Sequence, residues 1–194
     1  MSESKRIKVP FEGDTVFQLR AGDRLLLTGR ILTGRDAAHK RLIDLIDEGK
    51  ELPIDVRGQT IYYVGPTPAL PGMVVGAAGP TTAYRMDKYV RPLLERGLKG
   101  MIGKGFRTPP VKQALIEFGA VHMHAIGGLG ALLSKQIKSE RILAYEDLVT
   151  EAIREYVIED FPVIVVNDAH GGDFYSENIA KYRQLPDIVP QWSG

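Results

Sequence analysis

Basic side chains and threonines follow three predicted strands at the points where those strands end. The three runs are residues 32–36 (LTGRD), 79–85 (GPTTAYR) and 102–105 (IGKG), and each has glycine close to a cation. Glycine lets the backbone approach a ligand closely, arginine binds a carboxylate through two parallel hydrogen bonds, and lysine adds a compact charge. If the three runs converge, they form a pocket for a small molecule that bears two or more carboxylates.

Two hydroxyls and a cation occur together in the second run. Thr81 and Arg85 are four residues apart, a spacing that on a helix puts both side chains on one face. The spacing predicts that Arg85 holds a carboxylate while the Thr81 hydroxyl reaches the adjacent carbon. Thr82 suits helix capping as well, and the sequence leaves open how the two threonines divide the work.

The same residues also have structural interpretations. A threonine after Gly-Pro is most often a helix N-cap, and Asp36 suits a helix start because its charge complements the helix dipole. Taken singly, Arg35 and Arg85 are compatible with surface positions, and Lys104 with a turn. Glycine-flanked cations at three strand ends together favour the pocket over these separate interpretations.

Other polar residues are weaker candidates. His122 and His124 share one side of a predicted strand, but no third ligand is near, so we expect a packed or pore-lining pair rather than a metal site. Asp168 and His170 lie in a polar loop without a suitably placed nucleophile, which favours a turn over a hydrolytic dyad. His39, on the helix after the first run, is expected to be structural or orienting.

The composition excludes several classes of protein. The chain has 194 residues, 44% of them apolar, and a formal net charge of +1, which allows a full core but gives no basic excess for binding nucleic acid. No apolar run approaches the roughly 20 residues of a membrane span. The N-terminal MSESKRIKVPFEGD lacks the apolar core of a signal peptide. We therefore expect a cytoplasmic protein that binds neither nucleic acid nor membrane.

Cysteine is absent from the sequence. Its absence excludes disulfides, a thiolate nucleophile and thiolate metal ligands on this chain. A metal cluster held by thiolates would therefore have to belong to another chain.

Strands alternate with helices through the middle of the sequence, and we predict one domain over residues 1–194. The patterns predict strands at residues 24–32, 59–65, 72–78, 99–105 and 120–126, and two strand-like runs within 154–168. They predict helices at residues 36–49, 81–97 with a kink or break at Pro92, 109–119 and 128–138, and a last helix beyond them. The GGLG run at 127–130 predicts close helix packing, because it lacks the spacing of a dinucleotide fingerprint. The order predicts a mixed α/β fold with a β-rich layer beside a βα layer, and ligands usually bind at the carboxyl ends of such strands.

Several motifs resemble the β-type part of the iron–sulfur-dependent class I fumarases and of the related L-tartrate dehydratases. The resemblance extends from about residue 10 to about residue 175 and is carried by the motifs TGRDAAHKRL, YYVGP, GAAGPTTAYRMDKY, IGKG, HAIGGLGALLSKQIK and LAYEDLVTEAI. GPTTAYRMD together with TGRDAAHK is specific to this family. The resemblance implies an α/β fold of the swivelling β/β/α kind, with mixed sheet layers and helices packed on one side.

The resemblance also implies a partner. In this family an α-type part carries three cysteines that hold a [4Fe-4S] cluster, and the β-type part closes over it. In some members both parts form one chain, and in others they are separate subunits. A chain without cysteine fits a separate β subunit that is active only with its α subunit, and family resemblance suggests an α2β2 assembly.

The substrate residues of the family fall on the three runs. Arg35 and Arg85 match the arginines that bind substrate carboxylates, and Lys104 matches a lysine that contacts substrate. Thr81 matches the threonine proposed to move a proton at the carbon beside the hydroxyl-bearing one, and Thr82 is a second substrate-binding candidate. A threonine is a poor base, so we expect an acidic group of the α subunit to take the proton onward.

Three functions stay open at this point. The leading hypothesis is a β subunit of a hydro-lyase that reversibly hydrates fumarate to (S)-malate, because GAAGPTTAYRMDKY and the AYEDLVTEAI region look closer to fumarases. The alternative enzyme is an L-tartrate or related hydroxy-diacid dehydratase, which would use the same carboxylate clamp. A hypothesis of another class is a cysteine-free, non-catalytic module that binds anions.

Overall fold

The computed structural model describes residues 3–183, which form one mixed sheet with helices on one side of it. The strands are β1 (Lys5–Val9), β2 (Arg24–Thr33), β3 (Thr60–Tyr62), β4 (Gly100–Gly103), β5 (Val121–His124), β6 (Ile137–Ala144) and β7 (Ile153–Asn167). The helices are α1 (Asp36–Asp47), α2 (Asp87–Glu95), α3 (Pro109–Phe118), α4 (Gly130–Leu133) and α5 (Phe174–Tyr182). Short 3-10 helices occur at Thr15–Gln18, Ala83–Met86, Ser134–Gln136 and Glu146–Glu151.

The sheet nearly closes on itself. Its strand order is β1-β2-β3-β4-β5-β7-β6, and β2 also pairs with β7. Strands β1 to β5 pair in parallel with their neighbours, whereas β7 pairs antiparallel with β2, β5 and β6. The pairing of β2 with β7 joins β2, β3, β4, β5 and β7 into a closed cycle. The mixed α/β class predicted from the sequence is therefore confirmed.

Two apolar cores lie on opposite faces of the strands. Because successive strand residues point to opposite faces, Tyr62 and Ile102 join a core enclosed by the strands, together with Tyr156 and Phe161. On the other face, the second core lies between the sheet and α1, α2 and α3, and Tyr63 belongs to it. Both faces of β3 and β4 are buried, so every residue of these two strands is buried rather than every second one.

Several predicted elements differ from the structure. Residues 72–78 form no strand but part of a loop, in which Thr67 bonds the backbone of Ala77. The helix predicted over 128–138 is wrong beyond the short α4, because β6 begins at Ile137 and pairs with β7. The two runs predicted within 154–168 are one strand, β7.

The helix predicted from residue 81 also begins later than expected. A 3-10 helix occupies Ala83–Met86, and α2 follows it at Asp87. Pro92 lies inside α2, which continues past it to Glu95, so the predicted break is wrong. Among residues 3–183, no helix has both the length and the apolar character that crossing a membrane requires.

Candidate active site

The ends of the parallel strands β2, β3 and β4 lie side by side. Backbone hydrogen bonds join the second run, residues 79–85, to the residues that follow β3 and β4. The N–H of Thr81 donates to the carbonyl of Tyr63, just after β3, at 2.7 Å. The N–H of Lys104 donates to the Thr81 carbonyl at 3.1 Å, and the N–H of Ala83 donates to the Lys104 carbonyl at 2.8 Å. Thr82 and Lys104 therefore pair as a parallel bridge, which joins the second run to the third.

Thr81 and Thr82 precede the helix, so their predicted helical spacing from Arg85 is wrong. Thr82 has an extended backbone (φ −62°, ψ 119°) and occupies the N-cap position of the 3-10 helix, but its hydroxyl makes no capping hydrogen bond. No hydrogen bond joins the Thr81 hydroxyl to any residue between 3 and 183. Both threonines are half-buried. Their hydroxyls are therefore available to a ligand, and capping does not explain them.

Arg85 joins the second run to the first through an ion pair with Asp36. Nε of Arg85 lies 3.2 Å from Oδ1 of Asp36, and Nη2 lies 2.8 Å from Oδ2. Asp36 is the first residue of α1, where a carboxylate also complements the helix dipole. The pair uses one side of the planar guanidinium, and Nη1 is the group left to bind a further acceptor.

Arg35 crosses the end of β3 to reach a carboxylate far along the chain. Its Nη2 lies 3.5 Å from Oε1 of Glu151, whose Oε2 accepts from the N–H of Ala37 at 3.0 Å. A Cβ on Gly65 would overlap Nη1 of Arg35, so only glycine leaves room for this side chain to lie where it does. The first run is thus fixed between the end of β3 and the segment before β7.

Lys104 is exposed at the same edge, beside the loop that follows β5. Its Cδ would be 3.6 Å from a Cβ on Gly127. The carbonyl of Gly130 accepts from the N–H of Ala78 at 3.0 Å, and a Cβ on Gly130 would lie 3.0 Å from the nitrogen of Gly79. Of the run at 127–130, for which close helix packing was predicted, only Gly130 is closely packed, and its partner is the loop backbone of Ala78 and Gly79 rather than a helix.

The histidine after the first run is buried and neutral. Burial lowers the pKa of His39 to about 4, although its Nδ1 hydrogen-bonds the carbonyl of Arg35 at 2.8 Å. Its ring packs edge-on against Tyr63 and stacks on Tyr89. His39 fixes the backbone that carries Arg35, so the structural role predicted for it is confirmed.

The two histidines of β5 are a packed pair. Burial lowers the pKa of His122 well below its usual value, and burial together with the Lys104 charge lowers the pKa of His124. Nδ1 of His124 shares a hydrogen bond of 2.7 Å with the Tyr175 hydroxyl. Within residues 3–183, no group of three or more histidine, cysteine, aspartate or glutamate side chains is arranged to hold a metal ion.

Asp168 forms the turn that the sequence favoured over a hydrolytic dyad. Its carboxylate accepts from the N–H groups of Ala21, His170 and Gly172 at 2.8–2.9 Å. Burial opposes its charge, but these backbone donors hold the pKa of Asp168 below its usual value. The carboxylate is fully engaged in holding the loop after β7.

Three residues of the site were missed by sequence reasoning: Tyr63, Gly65 and Glu151. Their contacts with the three runs come from distant parts of the chain. Gly65 and Tyr63 lie in the YYVGP motif, and Glu151 lies in an otherwise unremarkable acidic segment. No local pattern distinguishes them, because their importance comes from the pairing of strands.

Comparison with known proteins identifies the family. A family model described as "Fumarase C-terminus" matches residues 2–178. The chain is 42% identical over 166 residues to "Fumarate hydratase class I, anaerobic" of Escherichia coli, a match that covers 84% of this chain and 30% of that protein. It is 37% identical over 165 residues to "Fumarate hydratase 2" of Leishmania major, covering 84% of this chain and 29% of that protein.

A third relative is similar over nearly its whole length. The chain is 30% identical over 181 residues to "Putative L(+)-tartrate dehydratase subunit beta" of Methanocaldococcus jannaschii, covering 90% of this chain and 93% of that protein. By contrast, the chain matches about 30% of the length of the fumarate hydratases named above. The resemblance inferred from the motifs is confirmed: the chain belongs to the Fumarase C-terminus family, as a β-subunit-type domain related to class I fumarate hydratases and tartrate dehydratases.

Proposed function

We propose that this chain is the β subunit of a hydro-lyase that reversibly hydrates fumarate to (S)-malate. The names of the relatives support hydro-lyase chemistry, and the match to most of a protein named as a β subunit supports a separate α subunit. The proposal includes an α2β2 assembly, a cytoplasmic location and a β/β/α domain that swivels to close over the α subunit.

The observation that carries this proposal is the convergence of the three runs at the ends of β2, β3 and β4. Backbone bonds join Thr81 and Thr82 to Lys104, and the Asp36 ion pair brings Arg85 to the start of α1, next to Arg35. A small dicarboxylate needs cations at both ends and a proton-transfer group between them. In the proposal, Arg35, Arg85 and Lys104 bind the carboxylates, and Thr82 adds a hydrogen bond.

Thr81 is the proposed catalytic residue of this chain. In the malate-to-fumarate direction a proton leaves the carbon beside the hydroxyl-bearing carbon, and hydroxide leaves its neighbour. The Thr81 oxygen accepts the carbon-bound proton as its own proton passes to an acidic group of the α subunit, because a hydroxyl of ordinary pKa cannot hold a second proton. The same residues acting in reverse hydrate fumarate.

The [4Fe-4S] cluster of the proposal belongs to the α subunit. This chain does not fit the cluster, because it has no cysteine and its described residues offer no metal-ligand group. When bound by the α subunit, the cluster supplies a Lewis acid that polarises substrate oxygens. The part left to this chain is to bind the carboxylates, orient the substrate and move the proton at Thr81.

A second substrate is supported by one specific observation. The relative matched over 93% of its length is named as a tartrate dehydratase subunit, whereas the fumarate hydratases are matched over about a third of theirs. L-Tartrate carries the same two carboxylates, so the clamp accommodates both compounds. We rank fumarate first because its named relatives have the higher identity.

The test is a substrate comparison with the reconstituted enzyme. The chain is mixed anaerobically with its cysteine-containing partner, iron and sulfide, and initial rates are measured with (S)-malate and with L-tartrate. Fumarate formation from malate with a higher kcat/KM than tartrate turnover supports the hydratase. Preference for tartrate supports the second substrate, and a folded complex with an intact cluster that turns over neither supports a non-catalytic anion-binding module.

A further inference from the structure

A buried arginine behind the three runs takes no part in the proposed chemistry. Arg107 is 3% exposed, and its side chain lies between β4, the 3-10 helix at Ala83–Met86 and the start of α3. Burying a guanidinium costs free energy unless its donors are paired. The groups that Arg107 contacts therefore indicate why a cation is buried at this position.

Two of these acceptors are connected to the segment Thr81–Ala83: one belongs to Ala83 and the other to Tyr63. Nη1 of Arg107 donates to the carbonyl of Ala83 at 2.8 Å, immediately after Thr82. Nη2 lies 3.4 Å from the hydroxyl of Tyr63, and the guanidinium lies over the Tyr63 ring, 5.5 Å from its centre. The backbone carbonyl of the same Tyr63 accepts from Thr81.

A carboxylate on α2 fixes the arginine in turn. Nη1 of Arg107 lies 3.3 Å from Oδ1 of Asp87, whose Oδ2 accepts from the N–H of Thr108 at 2.7 Å and from its hydroxyl at 2.6 Å. Asp87 comes two residues after Arg85. These contacts therefore tie the start of α2, directly after the 3-10 helix that carries Arg85, to the start of α3.

We infer that Arg107 is a positioning residue, which holds the backbone of Thr81–Ala83 against β3 and β4 so that the Thr81 hydroxyl and Lys104 keep a fixed relative position. This inference rests on the proposed function for its catalytic consequence. Arg107 contacts the Ala83 carbonyl and the Tyr63 side chain, and it does not contact substrate. It is therefore not a catalytic residue. A misplacement of about 1 Å at a reacting group lowers turnover by about 100-fold, so a backbone clamp at this point controls the rate.

The first test measures the clamp without any substrate. Amide hydrogen exchange of this chain is compared at Thr81 and Ala83, with Val121 as the reference because its N–H bonds Lys99 at the opposite end of β4 and β5. In R107K, exchange at Thr81 and Ala83 relative to Val121 is expected to rise about tenfold or more, because these bonds open locally. The same ratio in R107K as in the unaltered chain would overturn the inference.

Two further variants serve as a replacement for R107K and as a control for general loss of stability. R107M/D87N removes both charges together, so it leaves no unpaired buried carboxylate and is available if R107K does not fold. Leu25→Ala creates a cavity in the strand-enclosed core, on the opposite face of the strands from the core that contains Tyr63. L25A lowers stability generally, and we expect the exchange ratio in this variant to match that of the unaltered chain.

The second test uses the complex with the cysteine-containing partner, at a temperature where both R107K and L25A are fully folded. R107K is expected to lower kcat about tenfold or more while KM changes by less than about threefold, because the carboxylate-binding cations remain. An equal kcat in R107K and L25A would overturn the inference, since Arg107 would then serve stability alone. An inactive complex of the unaltered chain would overturn the proposed function instead, and the exchange ratio would still decide whether Arg107 holds the segment.

Discussion

Arg85 and Asp36 form a two-point ion pair, with Nη2 of the arginine 2.8 Å from Oδ2 of the aspartate. The pair joins the first run to the second, which are distant in sequence. Both side chains are partly exposed, so the pair contributes below about 1 kcal/mol to folding. Its main effect is to orient the guanidinium, and in the proposed site Nη1 is the group that binds a substrate carboxylate.

Replacing Arg85 by alanine is expected to weaken both substrate capture and turnover. Loss of one charged contact to a carboxylate costs about 2–5 kcal/mol, which corresponds to a decrease in kcat/KM of roughly 30-fold to 4,000-fold. Steady-state kinetics of the reconstituted enzyme measure this decrease in kcat/KM. Arg91→Ala is the matched control, because Arg91 on α2 pairs only with Glu95 and Glu117 among the described residues. Equal losses in R85A and R91A would contradict the assignment.

The two threonines are distinguished by parallel alanine variants. Thr81→Ala is expected to lower kcat about 100-fold or more, the usual contribution of a positioned proton-transfer group, with little change in thermal stability. Thr82→Ala removes a hydrogen bond to substrate and is expected to raise KM with a smaller effect on kcat. The reverse pattern would assign the proton-transfer role to Thr82, and normal kcat in both variants would exclude both threonines.

Gly65 controls where the Arg35 side chain lies. Gly65→Ala is expected to push the guanidinium aside and lower kcat/KM by about tenfold or more, because a Cβ would overlap Nη1. The cost in stability is small, since the displaced group is the end of a flexible side chain. Gly127→Ala is the control, because its Cβ would make only an ordinary contact with Lys104. If G65A and G127A have the same kcat/KM, Arg35 does not bind substrate where it lies in this structure.

Part of this site follows from local sequence, and part does not. Strand periodicity and glycine-flanked cations place Arg35 and Lys104 at the ends of β2 and β4, which both pair in parallel with β3, and parallel strands end at the same edge. Arg107 and Glu151 have no such signal, because each gains its role from a contact made by the folded chain. The sequence patterns also missed β6: its first two residues lie in the run at 128–138, which has a helical pattern, but pairing with β7 overrides that local preference.

His39 is expected to make stability depend on pH. Its pKa is about 4 in the folded chain and 6.5 in the unfolded chain, so the unfolded state binds more protons between these values. The free energy of unfolding therefore decreases as the pH falls from about 6.5 to about 4, by about 3 kcal/mol for this residue. Urea unfolding at several pH values measures the slope.

The His39→Gln variant isolates this contribution. It is expected to flatten the pH dependence in that window, leaving the part due to the buried His122. Leu42→Ala, which removes a buried side chain on the same helix, is expected to lower stability at every pH and keep the slope. An unchanged slope in H39Q would show that His39 is not held neutral by burial.

The most direct test of the account is a titration of this chain into a fixed amount of its cysteine-containing partner, under anaerobic conditions with the cluster assembled. The account predicts no fumarate formation from (S)-malate by either protein alone, and a rate that rises with added chain until the complex is saturated. It also predicts that T81A saturates the partner at the same ratio but yields almost no rate. Full activity of the partner alone, or equal rates with T81A and the unaltered chain, would contradict the claim that these strand ends supply the substrate-binding and proton-transfer side of the enzyme.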